Sequence, residues 1–162
     1  MDDRPDGFSL QKEWSAVTLL VHSLYGAVVL YAAIVYLKLI NIHPAIMKEQ
    51  AGSLFMLFLV GALAQFPTAL FIGGSMVSAD KLRGTVQGAS DKKTGLLEAM
   101  KTVKTAVILM SAMGEAIGVF GLVLFLTTGD VTRPWFFFGL SGFHYVGTMM
   151  KLKSIREELD RF

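Results

Sequence analysis

Glu115 is the one carboxylate inside an apolar run, residues 107–126, that is long enough to cross a bilayer. An ionised group at that depth costs at least ~2.5 kcal/mol even on a lenient insertion scale, so it is a functional candidate by default. Gln65 lies near the middle of another apolar run, residues 53–75. If the two runs are antiparallel neighbours, a carboxyl and a carboxamide meet at one depth, where they can share a proton or hold a small cation. The plainer alternative is a hydrogen bond between Gln65 and a protonated Glu115 that simply ties two helices together.

His22 and His144 form a second candidate pair, on different apolar runs and at matching depth. Two histidines so placed are what a bis-histidine b-type haem requires, and an electron-transfer subunit binding haem or quinone would use them. Each imidazole can equally bond a neighbouring carbonyl, Tyr25, Ser23 or Ser141. His43, beside Pro44, belongs to a short connection and is expected to face solvent. The nine methionines are scattered and are read as core filling. Around Glu115, the residues Ser111, Gly114, Gly118 and Gly121 recur at i, i+3, i+7 and i+10. On a helix that spacing makes a stripe of small side chains on which another backbone can pack closely.

The elements that must carry these residues are membrane helices. Of 162 residues, 53% are hydrophobic and 17% charged, and mean hydropathy is +0.54. Four apolar runs suit an all-α integral membrane bundle of four antiparallel spans, at about residues 14–37, 53–75, 105–127 and 134–150, within one membrane domain 1–162. The first run is too long for a signal-peptide core and is read as retained, behind an acidic stretch at residues 2–6. Pro67 predicts a kink in the second span. The long polar connection, residues 80–104, reads as loop in its first half. Its second half, from Thr94, is expected to run unbroken into the third span as a helix of roughly 50 Å. Gly129 is a C-cap candidate, and Pro134 opens the fourth span. In the tail, residues 151–162, Leu152, Ile155, Leu159 and Phe162 share one face, so an amphipathic helix either continues the fourth span or lies on the membrane surface.

Charge sets the orientation. Only Lys38, Lys48 and Arg133 of the fifteen basic residues fall on the side opposite the termini. Both termini and the 80–104 connection are therefore expected in the cytoplasm, N-in and C-in, in the inner (cytoplasmic) membrane. The absence of cysteine excludes disulfides, thiolate metal sites, iron–sulfur clusters and c-type haem attachment. No phosphate loop, nucleophile–base arrangement or metal-ligand spacing is present, and no nucleic-acid partner is expected.

Residues 112–124, Ala-Met-Gly-Glu-Ala-Ile-Gly-Val-Phe-Gly-Leu-Val-Leu, resemble the carboxylate helix of the rotor c subunits (proteolipids) of F- and V-type ATP synthases. That resemblance implies an ion-binding role for Glu115, with Gln65 filling the place of the glutamine that assists it in sodium-binding members. More of the chain looks similar to small uncharacterised four-span bacterial membrane proteins with a Glu–Phe-Gly-Leu-Val helix, a Thr-Gly-Asp turn and a charged tail, a likeness that implies no activity. The expected function is that of a non-catalytic membrane subunit or assembly partner, without a cofactor. It would touch lipid and pack against itself or other membrane subunits through the small-residue stripe. A proton- or cation-coupling role for Glu115 with Gln65 is the alternative, and b-type haem or quinone binding at His22 and His144 a second.

Overall fold

The computed structural model describes residues 9–39 and 48–161, and the acidic stretch at 2–6, His43, Pro44 and Phe162 lie outside them. The described residues are all-helical, in five helices: α1 Leu10–Leu37, α2 Lys48–Met76, α3 Ala79–Gly88, α4 Lys92–Thr128 and α5 Pro134–Leu159. Three stretches among them, α1, α2 running on into α3, and α4, are long and apolar enough to cross a membrane. The fourth expected span does not reach that class. Its uncharged stretch between Arg133 and Lys151 holds 17 residues, short of the ~20 that a span needs, and includes Ser141, His144, Tyr145 and Thr148.

Local chemistry sets most helix ends. Asp91 accepts from the Thr94 amide (2.9 Å) and hydroxyl (2.6 Å) and starts α4. Gly129, at φ 69°, ends it by donating its N–H to the Phe125 carbonyl, as its C-cap reading predicts. Asp130 then accepts from the Thr132 and Arg133 amides and turns the chain into Pro134, the first residue of α5. The 37 residues of α4 make a rod of about 55 Å at 1.5 Å per residue. It begins at Lys92, two residues earlier than expected.

One correction concerns the stretch read as loop. Residues 79–88 form α3, capped by Ser78, whose hydroxyl accepts from the Lys81 amide. Its glycines, Gly84 and Gly88, argue against a helix locally. Burial of Leu82 and Val86 against α4 and α5 overrides them. Gly95 marks the contact, because a Cβ there would come within 2.8 Å of the Val86 backbone. The tail is likewise resolved: α5 runs unbroken to Leu159, and Leu152, Ile155 and Leu159 are buried in protein. Pro67 lies within a continuous α2.

The bundle is organised around α4. Tyr25 and Val28 of α1 meet Gly114 and Gly118, so α1 and α4 run in the same direction. On α2, Gly61 meets Phe120 and Gly73 meets Met110. On α5, Phe138 meets Gly121 and Ser141 meets Gly114. Both of those helices therefore run opposite to α4. Beyond the apolar part, α3 and the end of α5 cap the long helix, and ion pairs join Lys104 to Glu13 and Arg83 to Glu158 (2.5 Å).

Two outcomes follow for stability in detergent. Gly114→Ala should lower the thermal midpoint, because overpacking of this kind costs about 1–3 kcal/mol. Gly139→Ala, where a Cβ meets open space, should not lower it. The Arg83 guanidinium, by hydrogen bond and charge, holds the Glu158 carboxyl below its ordinary value. A depressed carboxyl stabilises above its unfolded value and loses that contribution as pH falls through the folded one. The stability gap between wild type and Glu158→Gln should thus exist at neutral pH and close at low pH, as followed by thermal unfolding across pH.

Candidate functional site

Glu115 is half-buried on α4, and its Oε1 accepts a hydrogen bond from the Tyr31 hydroxyl of α1 at 3.1 Å. No hydrogen bond joins Gln65 to it: the carboxylate's partner is Tyr31, and the Gln65 Oε1 is buried without a hydrogen bond. The expectation about depth was sound, since Gly61 faces Phe120 and Gly73 faces Met110, which brings Gln65 level with the Glu115 turn. Direction around the helix decides otherwise. Ile117 and Phe120 pack on the α2 side, with Ala62 and Phe58. They lie about 200° and 140° round the helix from Glu115 at 100° per residue. The carboxylate thus turns away from α2 and toward α1. Sequence reading missed Tyr31, although a tyrosine within the first apolar run was the available signal.

The two histidines belong to one polar cluster, joined through tyrosines. His22 Nδ1 lies 2.7 Å from the Thr18 carbonyl, which can only accept, so Nδ1 carries the proton. In the neutral ring Nε2 is then an acceptor, and the Tyr145 hydroxyl donates to it at 3.1 Å. His144 is buried, with Nδ1 2.8 Å from the Tyr25 hydroxyl. That hydroxyl also lies 3.4 Å from Thr148 Oγ1, which donates to the His144 carbonyl at 3.1 Å. The rings form a chain His22–Tyr145–Tyr25–His144, with centroid separations of 5.9, 4.9 and 6.5 Å. Two tyrosine rings therefore link the imidazoles where an axial pair would face each other across a slot. Both nitrogens of His22 are engaged.

The small-residue stripe is filled from within the chain. A Cβ at Gly114 would collide with the Tyr25 ring, 2.6 Å from Cζ, and one at Gly118 with both Val28 methyls at 2.8 Å. At Gly121 it would come within 3.0 Å of the Pro134 carbonyl and 3.1 Å of Phe138. Ser141 of α5 donates to the Gly114 carbonyl at 2.6 Å, while Ser111 is fully buried with its hydroxyl unpaired. The expectation that this stripe packs against a second copy or another subunit is thereby corrected. Helices α1 and α5 already occupy it.

Fold and site together define an all-helical protein with helices suited to a membrane. No family model, curated protein or solved structure matches the chain. The likeness of residues 112–124 to rotor c subunits accordingly has no family match behind it, and the glutamine it called for is not bonded to Glu115.

Tyr25→Phe should destabilise the protein by about 1–3 kcal/mol, because it leaves buried groups of His144 and Thr148 without their shared partner. Thermal unfolding in detergent measures it. A variant as stable as wild type would mean that the buried cluster contributes nothing net.

Proposed function

We propose that the chain is a four-span membrane protein, up-down-up-down with both termini in the cytoplasm, serving without catalysis as a subunit or assembly partner of a larger membrane complex. The distribution of basic residues supports the orientation. The parallel course of α1 and α4, with α2 and α5 opposed, supports the up-down-up-down order. The fourth span would be α5, whose polar side chains in the bilayer bond to α1 and α4 instead of lipid.

The observation that carries the subunit reading is the outer face of α2. That helix rests on α4 through Phe58, Gly61 and Ala62, and exposes Met56, Leu57, Val60, Leu63 and Phe71. Those five large side chains fall within a sector of about 120° at 100° per residue. A partner would dock on such an outward face, since the glycine stripe is taken; α1 offers a second one in Leu19, Val29, Leu30, Tyr36 and Leu37. The chain has no cysteine, so single-cysteine variants report cleanly. Val60→Cys in native membranes should cross-link to another polypeptide, and Ser154→Cys, but not Val131→Cys, should be shielded from an impermeant thiol reagent added outside intact cells. Absence of any adduct from Leu57→Cys, Val60→Cys and Leu63→Cys would sink the docking face.

The Tyr31–Glu115 hydrogen bond favours a second reading, in which Glu115 exchanges a proton or binds a cation within the bilayer. Dicyclohexylcarbodiimide, which modifies protonated carboxyls, should label wild type but not Glu115→Gln, with labelling suppressed at high pH. No labelling at any pH would remove this role. The haem and quinone readings gain no support from the tyrosine-linked histidines.

A further inference from the structure

A groove of about 270 Å³ runs between α2 and α5, with Met110 of α4 among its lining residues. Its apolar length is made by Phe66, Ala69 and Gly74 on one side and Phe143 and Gly147 on the other. Four of its lining positions are glycine or alanine, which is why two helices that both pack on α4 leave a gap between them here. The gap is open space: a Cβ added at Gly74 or Gly147 meets no atom within 4 Å.

One end of the groove is cationic. The Lys151 side chain crosses Gly73, with Cε and Cγ 3.8 and 3.9 Å from a Cβ built there. Close by, at the last turn of α2, the Lys81 ammonium bonds the Ser75 carbonyl at 2.5 Å. Neither Lys81 nor Lys151 makes an ion pair among the described residues, so no carboxylate there neutralises either charge. An apolar channel lined at one end by Lys151, with the Lys81 ammonium held on Ser75, next to the lining Gly74, is complementary to an anion carrying a long hydrocarbon chain. In the orientation proposed above, that mouth lies at the cytoplasmic headgroup level.

We infer that the α2–α5 groove is a binding site for an anionic phospholipid, with an acyl chain along Phe66, Ala69 and Gly147 and its phosphate between Lys151 and Lys81. The site rests on the membrane reading but not on which terminus faces the cytoplasm. Its test is therefore run in detergent, where a wrong orientation leaves lipid binding intact and a failed lipid site leaves the orientation untouched.

Purified protein is loaded with dioleoylphosphatidylglycerol or dioleoylphosphatidylcholine in mild detergent, and retained lipid is counted by native mass spectrometry. The expected result is one retained phosphatidylglycerol in preference to phosphatidylcholine. Lys151→Ala should weaken retention about fivefold, the factor corresponding to about 1 kcal/mol per basic residue beside an anionic headgroup. Gly147→Leu fills the groove through open space and should abolish retention without lowering the thermal midpoint. Equal retention of the two lipids, or undiminished phosphatidylglycerol binding in a folded Gly147→Leu protein, overturns the assignment. If Lys151→Ala unfolds, the Gly147→Leu result decides alone.

Discussion

The close approach of α1 and α5 to the glycine face of α4 is the contact on which the remaining structure depends. Lipid tails are as apolar as leucine, so burying hydrocarbon does little to hold membrane helices together, and close packing must do it. At Gly114 and Gly118 the missing side chains let the Tyr25 ring and the Val28 methyls rest against the α4 backbone. At Gly121 the same absence admits the Pro134 carbonyl, which fixes the start of α5. The Ser141 hydrogen bond to the Gly114 carbonyl is possible only because the two helices lie that near.

Once those distances are set, the polar side chains find partners. Tyr25, laid over Gly114, carries its hydroxyl to His144 and Thr148. Tyr31, close to two turns further along α1, reaches Glu115. Inside a bilayer a polar group without a partner is costly, so such pairs fix which faces of the helices meet. Among the described residues Trp14, Gln65 and Ser111 are the exceptions, the first with an unpaired buried N–H and the other two with unpaired buried oxygens. An unmet acceptor in the interior is a place where a proton, a water or a rearranged side chain has something to gain.

Much of the helical layout is legible in the sequence because it depends on local chemistry. Asp91 and Gly129 mark the ends of α4 through their own backbone bonds, and the apolar runs locate α1, α2 and α4. Depth was legible as well, since counting residues from a span's end places Gln65 level with Glu115. Azimuth was not. Which of two neighbours Glu115 faces depends on how α1 and α2 divide the surface of α4, and that follows from packing around Gly114 and Ile117 together. The α3 helix was illegible for a related reason: Leu82 and Val86 are its only strongly apolar residues, too few to outweigh two glycines until α4 and α5 supply a surface. For the small-residue stripe, the spacing showed that a backbone would come close but not whose it would be.

Gly95 and Gly114 sit on the same uninterrupted rod, one pressed by α3 and the other by α1. Adding or deleting a single residue between them would turn one contact by about 100° relative to the other and shift it by 1.5 Å. One of the two close contacts would then receive a side chain it cannot hold. The segment from 96 to 113 can therefore vary in composition at its exposed positions, such as Ile108 and Leu109, yet its length is fixed. In a lineage of such chains, substitutions would accumulate along this stretch of α4 while insertions would be confined to the turns at either end.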